Sequence, residues 1–552
     1  MDFREQVIYQ IYPKSFYDSN NDGIGDLPGI IAKIPYLTRL NIDMIWFNPF
    51  YVSSQNDNGY DISDYYAIDP KFGTMADFEE LVRRLSAHNI GVMLDMVLNH
   101  CSTEHEWFQK AVAGDKKYQK FFYIREPKAN GDLPNHWTSK FGGPAWSSFG
   151  DTGKYYLHLF DSSQADLDWH NPQLRQELFR VVNFWRQKGV KGFRFDVINV
   201  IGKDEKLQDA PAGIDNKTMY TDTPIVQQYL QELNQATFGQ DKQIVTVGEM
   251  SSANIESSIM YTRADQHQLN MVFNFHHLKA DYQNNQKWTK PLFDFSKLKK
   301  TLNTWQLRMN QEGGWNALFW NNHDQPWALS RFGDPINYRE KSAEMLATSI
   351  HLLRGTPYIY QGEEIGMINP DYRTIEDYVD VETKNAYKKL LKEGCSKQQA
   401  LAIIHERSRD NSRTPMHWDA SPKAGFTKGQ PWLRPTGQQK INVAAELAHG
   451  GIFNYYQKLI KLRKTYPVIV QGDYHPLNLD HPQVFAYVRK YQRQVLLVFN
   501  NFFAQQTVFK IPLLYQQQPA QVLISNYHLH LTTIPSKITL RPYEAVACLI
   551  SN

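Results

Sequence analysis

GFRFDVIN, residues 192–199, carries an arginine and an aspartate two positions apart in a short apolar run. Read as a strand over Gly192 to Val197, it sends Arg194 and Asp196 to the same face. What precedes it is a helix. Asn171-Pro172 supplies an N-cap followed by the proline favoured in a first turn, and Leu174, Leu178, Val181 and Trp185 recur at helical spacing up to Gly189. The same helix-then-strand grammar recurs further back along the chain. Thr74 and Asp77 have the spacing of a capping box, Phe78, Leu81, Val82 and Leu85 form the apolar stripe behind it, and Gly91 to Val97 follows as a strand.

Extended in both directions, the alternation covers most of the sequence. Val7 to Tyr12 and Asp43 to Phe47 read as strands joined by a helix through Ile30, Ile31, Ile34, Leu37 and Leu40. Ile244 to Val247, Met271 to Phe275, Asn316 to Trp320 and Pro357 to Tyr360 complete a set of eight strands. Eight β-α units predict an α/β protein built on a (β/α)8 TIM barrel. Two stretches break the pattern. Residues 101–170, after the third strand, are rich in Gly, Trp, Phe and Tyr and read as a small inserted domain. From residue 470 onward alternating runs such as Val484 to Val488, Val495 to Phe499 and Val508 to Ile511 predict a C-terminal antiparallel β-sandwich. The expected division is therefore 1–100 with 171–469 for the barrel, 101–170 for the insertion and 470–552 for the β domain.

The bulk numbers restrict the classes available. With 552 residues, 42% hydrophobic and 21% charged, the chain is long enough for a barrel plus smaller units. Sixty basic against 57 acidic residues leave a formal charge of +3 with no basic stripe, so nucleic acid is not an expected partner. The densest basic run, Lys297, Lys299 and Lys300, reads as the solvated face of a helix. Cys101, Cys395 and Cys548 form no CxxC pair and no even framework, which fits a reducing compartment. No basic-then-apolar leader and no long apolar run are present, so a cytoplasmic protein without membrane attachment is expected, acting as a monomer. A Gly-rich phosphate loop is also missing, so no organic cofactor is expected.

Four polar clusters fall at the C-terminal ends of expected strands: Asp95 to His100, Arg194 with Asp196, Glu249, and His323 with Asp324. In a (β/α)8 barrel that end carries the active site. Cleavage of a glycosidic bond needs an ionised carboxylate and a protonated carboxyl flanking it. Asp196, beside Arg194, is expected to stay ionised, and Glu249, after Val245 and Val247, to be desolvated enough to donate a proton.

The segments DMVLNH (95–100), QADLDW (164–169), GFRFDVIN (192–199), VGEM (247–250) and NNHDQP (321–326) resemble, in order and spacing, the motifs of the α-amylase superfamily of glycoside hydrolases. The resemblance implies Asp196 as nucleophile, Glu249 as acid/base and Asp324 as transition-state stabiliser, with His100, Arg194 and His323 in the glucose subsite and Asp95 structural. DNGYD (57–61) and RDNSRTPMHWD (409–419) are similar to the oligo-1,6-glucosidase group, which implies that Asp57 and Arg413 close the pocket over a terminal glucose and that Tyr60 stacks on it. Phe160 and Gln164 match further pocket positions, and Val197 resembles members that avoid α-1,4 links.

Asp18, Asn20, Asp22, the Ile24 carbonyl and Asp26 follow an EF-hand-like order of oxygen donors without the final bidentate glutamate. Relatives with the same loop bind calcium there, which implies a structural Ca2+. FNFHHLKADY, residues 273–282, adds His276, His277 and Lys279 at the expected rim, and Lys287 follows. Together with GEMSS (248–252), INVIGKD (198–204) and GGWNALFWNNHDQP (313–326), this pattern resembles the trehalose-6-phosphate hydrolases, whereas relatives acting on neutral isomalto-oligosaccharides usually carry a glutamate in this segment. The resemblance implies a phosphorylated disaccharide, held through His276, His277, Lys279 and Lys287. A neutral-substrate oligo-1,6-glucosidase is the alternative. A non-catalytic transporter-subunit relative would have lost the catalytic carboxylates, and a transglycosylase would share all three.

Overall fold

In the computed structural model, residues 2–551 are described, and they fold as two compact units, residues 1–45 with 275–552 and residues 46–274. Eight strands form one sheet: β1 (Ile8–Ile11), β2 (Met44–Phe47), β3 (Gly91–Met96), β4 (Gly192–Phe195), β5 (Val245–Glu249), β6 (Met271–Phe273), β7 (Ala317–Leu318) and β8 (Thr356–Tyr360). Their order is β6-β5-β4-β3-β2-β1-β8-β7, which is sequence order around a ring. The recorded pairings, Gly192 with Met93 and with Val245 among them, are parallel. This is the (β/α)8 barrel that the β-α alternation predicts. Strands β1, β2 and β4 are buried at every position, as a sheet covered on both faces requires.

The helix before β4 runs from Pro172 to Gln187, with the Asn171 side chain accepting from the Gln173 N–H and Trp185 wholly buried. The capping box at Thr74 and Asp77 is reciprocal, as its spacing predicts. Differences from the sequence reading have local causes. The single helix expected through Ile30 to Leu40 is two, Leu27–Ala32 and Ile34–Leu40, hinged at Lys33 with Pro35 in the first turn of the second. Strand β7 shrinks to Ala317–Leu318. Lys299 is not on a solvated face: it is buried, and its ammonium donates to the His481 carbonyl.

In the unit of residues 46–274, the stretch after β3 starts and ends on one antiparallel ladder, His100–Ser102 with Gln164–Asp166. Between them lies a small sheet of Ile124–Arg125, Trp146–Ser148 and Tyr155–Leu157. Tyr123, Trp137, Trp146, Leu157 and Leu159 pack there with Val197 and Val200. Segment 100–166 is thus anchored against the residues that follow β4.

In the other unit, the C-terminal strands form a five-stranded antiparallel sheet and a two-stranded one, Thr507–Lys510 with Lys537–Leu540. Both contribute to one apolar cluster that includes Val484, Leu497, Phe509, Ile538 and Val546, so the two layers share a core. Deep in the same unit, Asp281 accepts from Arg331 at 2.8 Å and 3.0 Å and pairs with Arg407 at 2.8 Å, all three side chains 1% exposed. The two guanidiniums hold its carboxyl below the ordinary carboxylate range despite burial. Removing one partner of a buried ion cluster costs about 3–5 kcal/mol. Asp281→Ala is therefore expected to lower the thermal unfolding midpoint clearly, measured by calorimetry, far more than the exposed-pair variant Glu80→Ala, whose partners Arg83 and Arg84 sit on the surface.

Candidate active site

Strand β4 sets the site in the unit of residues 46–274. Its neighbours β3 and β5 place Asp95 and Val247 beside Arg194. The guanidinium, 1% exposed, reaches Asp95 and Asp196 at 2.6 Å each through one nitrogen and Glu249 through another. It lies over the Trp46 and Tyr60 rings, at 5.2 Å and 5.9 Å from their centroids. One positive charge is shared by three carboxyl groups.

That ratio changes the electrostatics expected from the sequence. Burial, opposed by Arg194 and reinforced by the neighbouring Asp95, pushes the Asp196 carboxyl up to about 6. Burial likewise pushes Asp95 up to about 6. Arg194 therefore moderates the cost of burying Asp196 without cancelling it, and with its carboxyl at about 6 Asp196 is mostly ionised at neutral pH. Asp95 is bound on every side, by Arg194, by the Tyr60 hydroxyl at 3.0 Å and by the Trp46 indole N–H at 3.3 Å.

Asp196 follows the last residue of β4, and the next residue, Val197, has φ +36°. A β-branched residue in the left-handed region is strained. The turn there starts the short helix Ile198–Val200 immediately after the carboxylate.

The expected pocket residues of this unit gather around that centre. Tyr60 receives a hydrogen bond from Asn48 at 2.8 Å, and its own N–H bonds the Asp57 carbonyl. Gln164 Nε2 lies 3.2 Å from both Asp57 Oδ2 and His100 Nε2. His100 and Phe160 rings are 5.1 Å apart, and burial pushes His100 down to about 4, so it is neutral at physiological pH. Asp57, Tyr60, His100, Gln164 and Asp196 are buried, while Glu249 keeps partial exposure.

His323 and Asp324 belong to the other unit, just past β7. His323 Nδ1 lies 2.9 Å from Gln10 Nε2, its ring stacks on Tyr12, and its backbone carbonyl accepts from Arg413 Nε at 2.8 Å. Asp324 accepts from Arg413 at 2.5 Å and from Arg409 at 3.5 Å. Behind them sits Asp380, fully buried, 2.5 Å from Arg409 and 3.5 Å from Arg413. The two arginines hold the Asp380 carboxyl well below the ordinary range in spite of burial.

Sequence reading missed Asp380 and Arg409. Arg409 and Arg413 are four residues apart and so share a helical face, the one signal that could have paired them.

The four residues read as phosphate contacts lie in differing surroundings. His276, His277 and Lys279 share one turn. His277 is turned inward: it is 5% exposed, its Nε2 lies 2.8 Å from the Phe319 carbonyl, and burial pushes it down to about 4. Its ring packs on Phe319 and Trp320. His276 packs on Trp305 and is also pushed down to about 4, by burial first and by Lys279 second. Lys287 is ion-paired with Glu382 at 2.7 Å, and Glu382 in turn lies 3.3 Å from Arg409.

In the Asp18 to Asp26 loop, Asp18 accepts from the N–H groups of Asn20, Asn21 and Gly23. Asp22 accepts from the Ile24 N–H, and Asp26 caps the helix at Gly29. Among the described residues no three His, Cys, Asp or Glu side chains converge as a metal-binding group.

Comparison with known sequences accounts for this arrangement. Residues 10–472 match the model of the α-amylase catalytic domain, and residues 474–546 that of the maltogenic amylase C-terminal domain. The chain belongs to the α-amylase family. It is 47% identical to a trehalose-6-phosphate hydrolase of Bacillus subtilis, over 99% of this chain and 97% of that one. It is 44% identical to an oligo-1,6-glucosidase of Halalkalibacterium halodurans, over 100% and 99%. The crystal structure of the trehalose-6-phosphate hydrolase of Bacillus licheniformis superposes with a TM-score of 0.95 at 47% identity, each chain covered completely.

A carboxyl at about 6 loses its negative charge as the pH falls through that value, and the expected role of Asp196 needs that charge. The acidic limb of kcat/KM, measured on wild type, is expected near pH 6. Asp95→Asn removes one neighbouring negative charge and should move that limb to lower pH; an unchanged limb would assign it to another group.

Proposed function

We propose that the protein is a retaining, exo-acting α-glucosidase that hydrolyses α,α-trehalose 6-phosphate to glucose and glucose 6-phosphate. The observation that carries this reading is full-length similarity to enzymes named for that substrate. The carboxylate pair of β4 and β5 supports the chemistry. Asp196 and Glu249 bind the same guanidinium, a closeness that suits direct attack by one carboxylate, for which the two groups need only about 5 Å between them.

The Asp196 carboxylate attacks the anomeric carbon while Glu249 gives its proton to the leaving glycosidic oxygen. A glucosyl ester on Asp196 and free glucose 6-phosphate result. Glu249, now a carboxylate, takes a proton from water as the water oxygen attacks the anomeric carbon, which frees glucose and returns both groups to their starting state. Asp324, presented by Arg413 and Arg409, is the stabilising carboxylate by family resemblance. Asp57, Tyr60, His100, Phe160, Gln164, Arg194, His323 and Arg413 are proposed to hold the terminal glucose.

The close oligo-1,6-glucosidase relatives favour a second reading, cleavage of neutral isomalto-oligosaccharides by the same carboxylates. Initial rates on trehalose 6-phosphate, trehalose and isomaltose, followed as glucose and glucose 6-phosphate, decide between them. The phosphorylated sugar is expected to be cleaved with a kcat/KM at least about tenfold above either neutral sugar, the difference that one charge-assisted hydrogen bond supplies. Faster cleavage of isomaltose would move the protein to the second reading.

No helix among the described residues is long and apolar enough to cross a membrane. A cytoplasmic monomer is proposed, in keeping with a substrate that carries a phosphate.

Calcium is proposed as a structural ion of the Asp18 to Asp26 loop. The donors Asp18, Asn20, Asp22, Asp26 and the Ile24 carbonyl are all oxygen, which fits a hard cation. Asp18 and Asp26 are 3% and 2% exposed and repel each other, which a cation would relieve. The ion would stiffen the loop and take no part in bond cleavage. Added Ca2+ is expected to raise the thermal midpoint and a chelator to lower it, with both effects gone in Asp18→Asn; insensitivity of wild type to both would remove calcium.

A further inference from the structure

Strands β4 and β5 hold each other through a backbone ladder only as far as Phe195 and Gly248. Asp196 and Glu249 each come one residue later, so that ladder does not fix the distance between them. Beyond it the two chains are tied to other neighbours: the Asp196 N–H bonds the Met96 carbonyl of β3 at 3.0 Å, and Glu249 pairs with Phe273 of β6. A retaining mechanism depends on the missing constraint, because carboxyls about 5 Å apart allow direct attack and a wider pair admits a water between them.

Asn199 supplies a link between them. It is wholly buried on the turn Ile198–Val200, three residues past Asp196. Its Oδ1 accepts from the Ser251 N–H at 2.8 Å, and its Nδ2 donates to the Ser251 carbonyl at 3.0 Å. Ser251 is two residues past Glu249, so a side-chain amide takes the place of the peptide that would form the next rung of the sheet. The amide cannot turn over, since that would set donor against donor and acceptor against acceptor. Its second Nδ2 hydrogen goes to Asp222 Oδ1 at 2.9 Å, and the Asp222 N–H returns a bond to the Asn199 carbonyl at 3.0 Å. Asp222 is itself held by the Tyr261 hydroxyl at 2.9 Å and the Asn254 N–H at 3.3 Å. Packing is close here too: a β-carbon added at Gly248 would stand 3.1 Å from Ile198 Cγ2, so β5 lies directly against the turn that carries Asn199.

We propose that Asn199 is a positioning residue that sets the spacing of the Asp196 and Glu249 carboxyls by clamping together the turns that follow them. The inference rests on the retaining-glucosidase reading above and holds for either disaccharide. Its consequence falls on proton delivery. Glu249 must stand within hydrogen-bonding reach of the leaving oxygen while Asp196 attacks, and a misplacement of about 1 Å costs on the order of 100-fold in rate. A leaving sugar needs that proton and feels the loss. A nitrophenolate departs as a stable anion and does not. Asn199 acts through the two turns, and the bond-making and proton transfers remain with Asp196 and Glu249.

The test compares kcat/KM of wild type, Asn199→Ala and Asn199→Asp on two substrates: whichever of trehalose 6-phosphate and isomaltose wild type cleaves faster, and p-nitrophenyl α-glucoside. Asn199→Ala is expected to lose roughly 30- to 100-fold on the disaccharide and less than about threefold on the aryl glucoside. Asn199→Asp keeps an acceptor for the Ser251 N–H and is expected to fall between wild type and Asn199→Ala on the disaccharide. Equal loss on both substrates overturns the proposal, because a residue that only supports the fold does not distinguish leaving groups. Wild-type rates on the disaccharide in Asn199→Ala overturn it as well. Should Asn199→Ala fail to fold, as read from its thermal unfolding, Asn199→Asp decides alone, and an unchanged ratio between the two substrates overturns the proposal. In each of these cases wild type remains an active glucosidase and the reading above stands; a wild type that cleaves neither substrate removes that reading and the proposal with it.

Discussion

A single guanidinium, that of Arg194, carries the electrostatics of the carboxylate cluster. Three carboxyl groups converge on it in a place nearly closed to water, so one charge stands against as many as three. Such a cluster cannot be fully ionised cheaply, and the strain shows in Asp95 and Asp196, both pushed up to about 6. A retaining glycosidase needs one carboxylate and one carboxylic acid close together. Under-compensated charge makes the group easier to protonate than isolated carboxylates. Geometry follows from the same residue, since parallel register sets Asp95, Arg194 and Val247 side by side on three neighbouring strands.

The cluster around Asp324 has more guanidinium per carboxylate, with Arg409 and Arg413 set among Asp324, Asp380 and Glu382. Two arginines surround one buried anion, Asp380, and present Asp324 towards solvent, at 27% exposure. The two guanidiniums keep Asp380 low in spite of burial, and they give Asp324 two donors that orient its oxygens.

Much of this was legible in the sequence because it is periodic. All eight strands follow from apolar runs between helical stripes, and the polar residues stand out at the ends of those runs. What was not legible depends on contacts between segments distant in sequence. Asp380 gives no local sign that it will meet Arg409 and Arg413. Lys299 sits in a basic run that looks solvated until the His481 carbonyl arrives from the C-terminal domain. The break at Lys33 turns on one proline within an otherwise unbroken apolar stripe. The raised Asp196 reflects a count of charges around Arg194, and sequence supplied only one of the three, since Asp95 read as structural and Glu249 as an independent acid.

The histidines and lysines after β6 show the same limit in a form that bears on specificity. Sequence counts cations; it does not show which are already spent. His277 is neutral and turned to a backbone carbonyl, and Lys287 is neutralised by Glu382. A lysine paired with a carboxylate must surrender that pair to take a phosphate, so most of the gain from the new contact is cancelled.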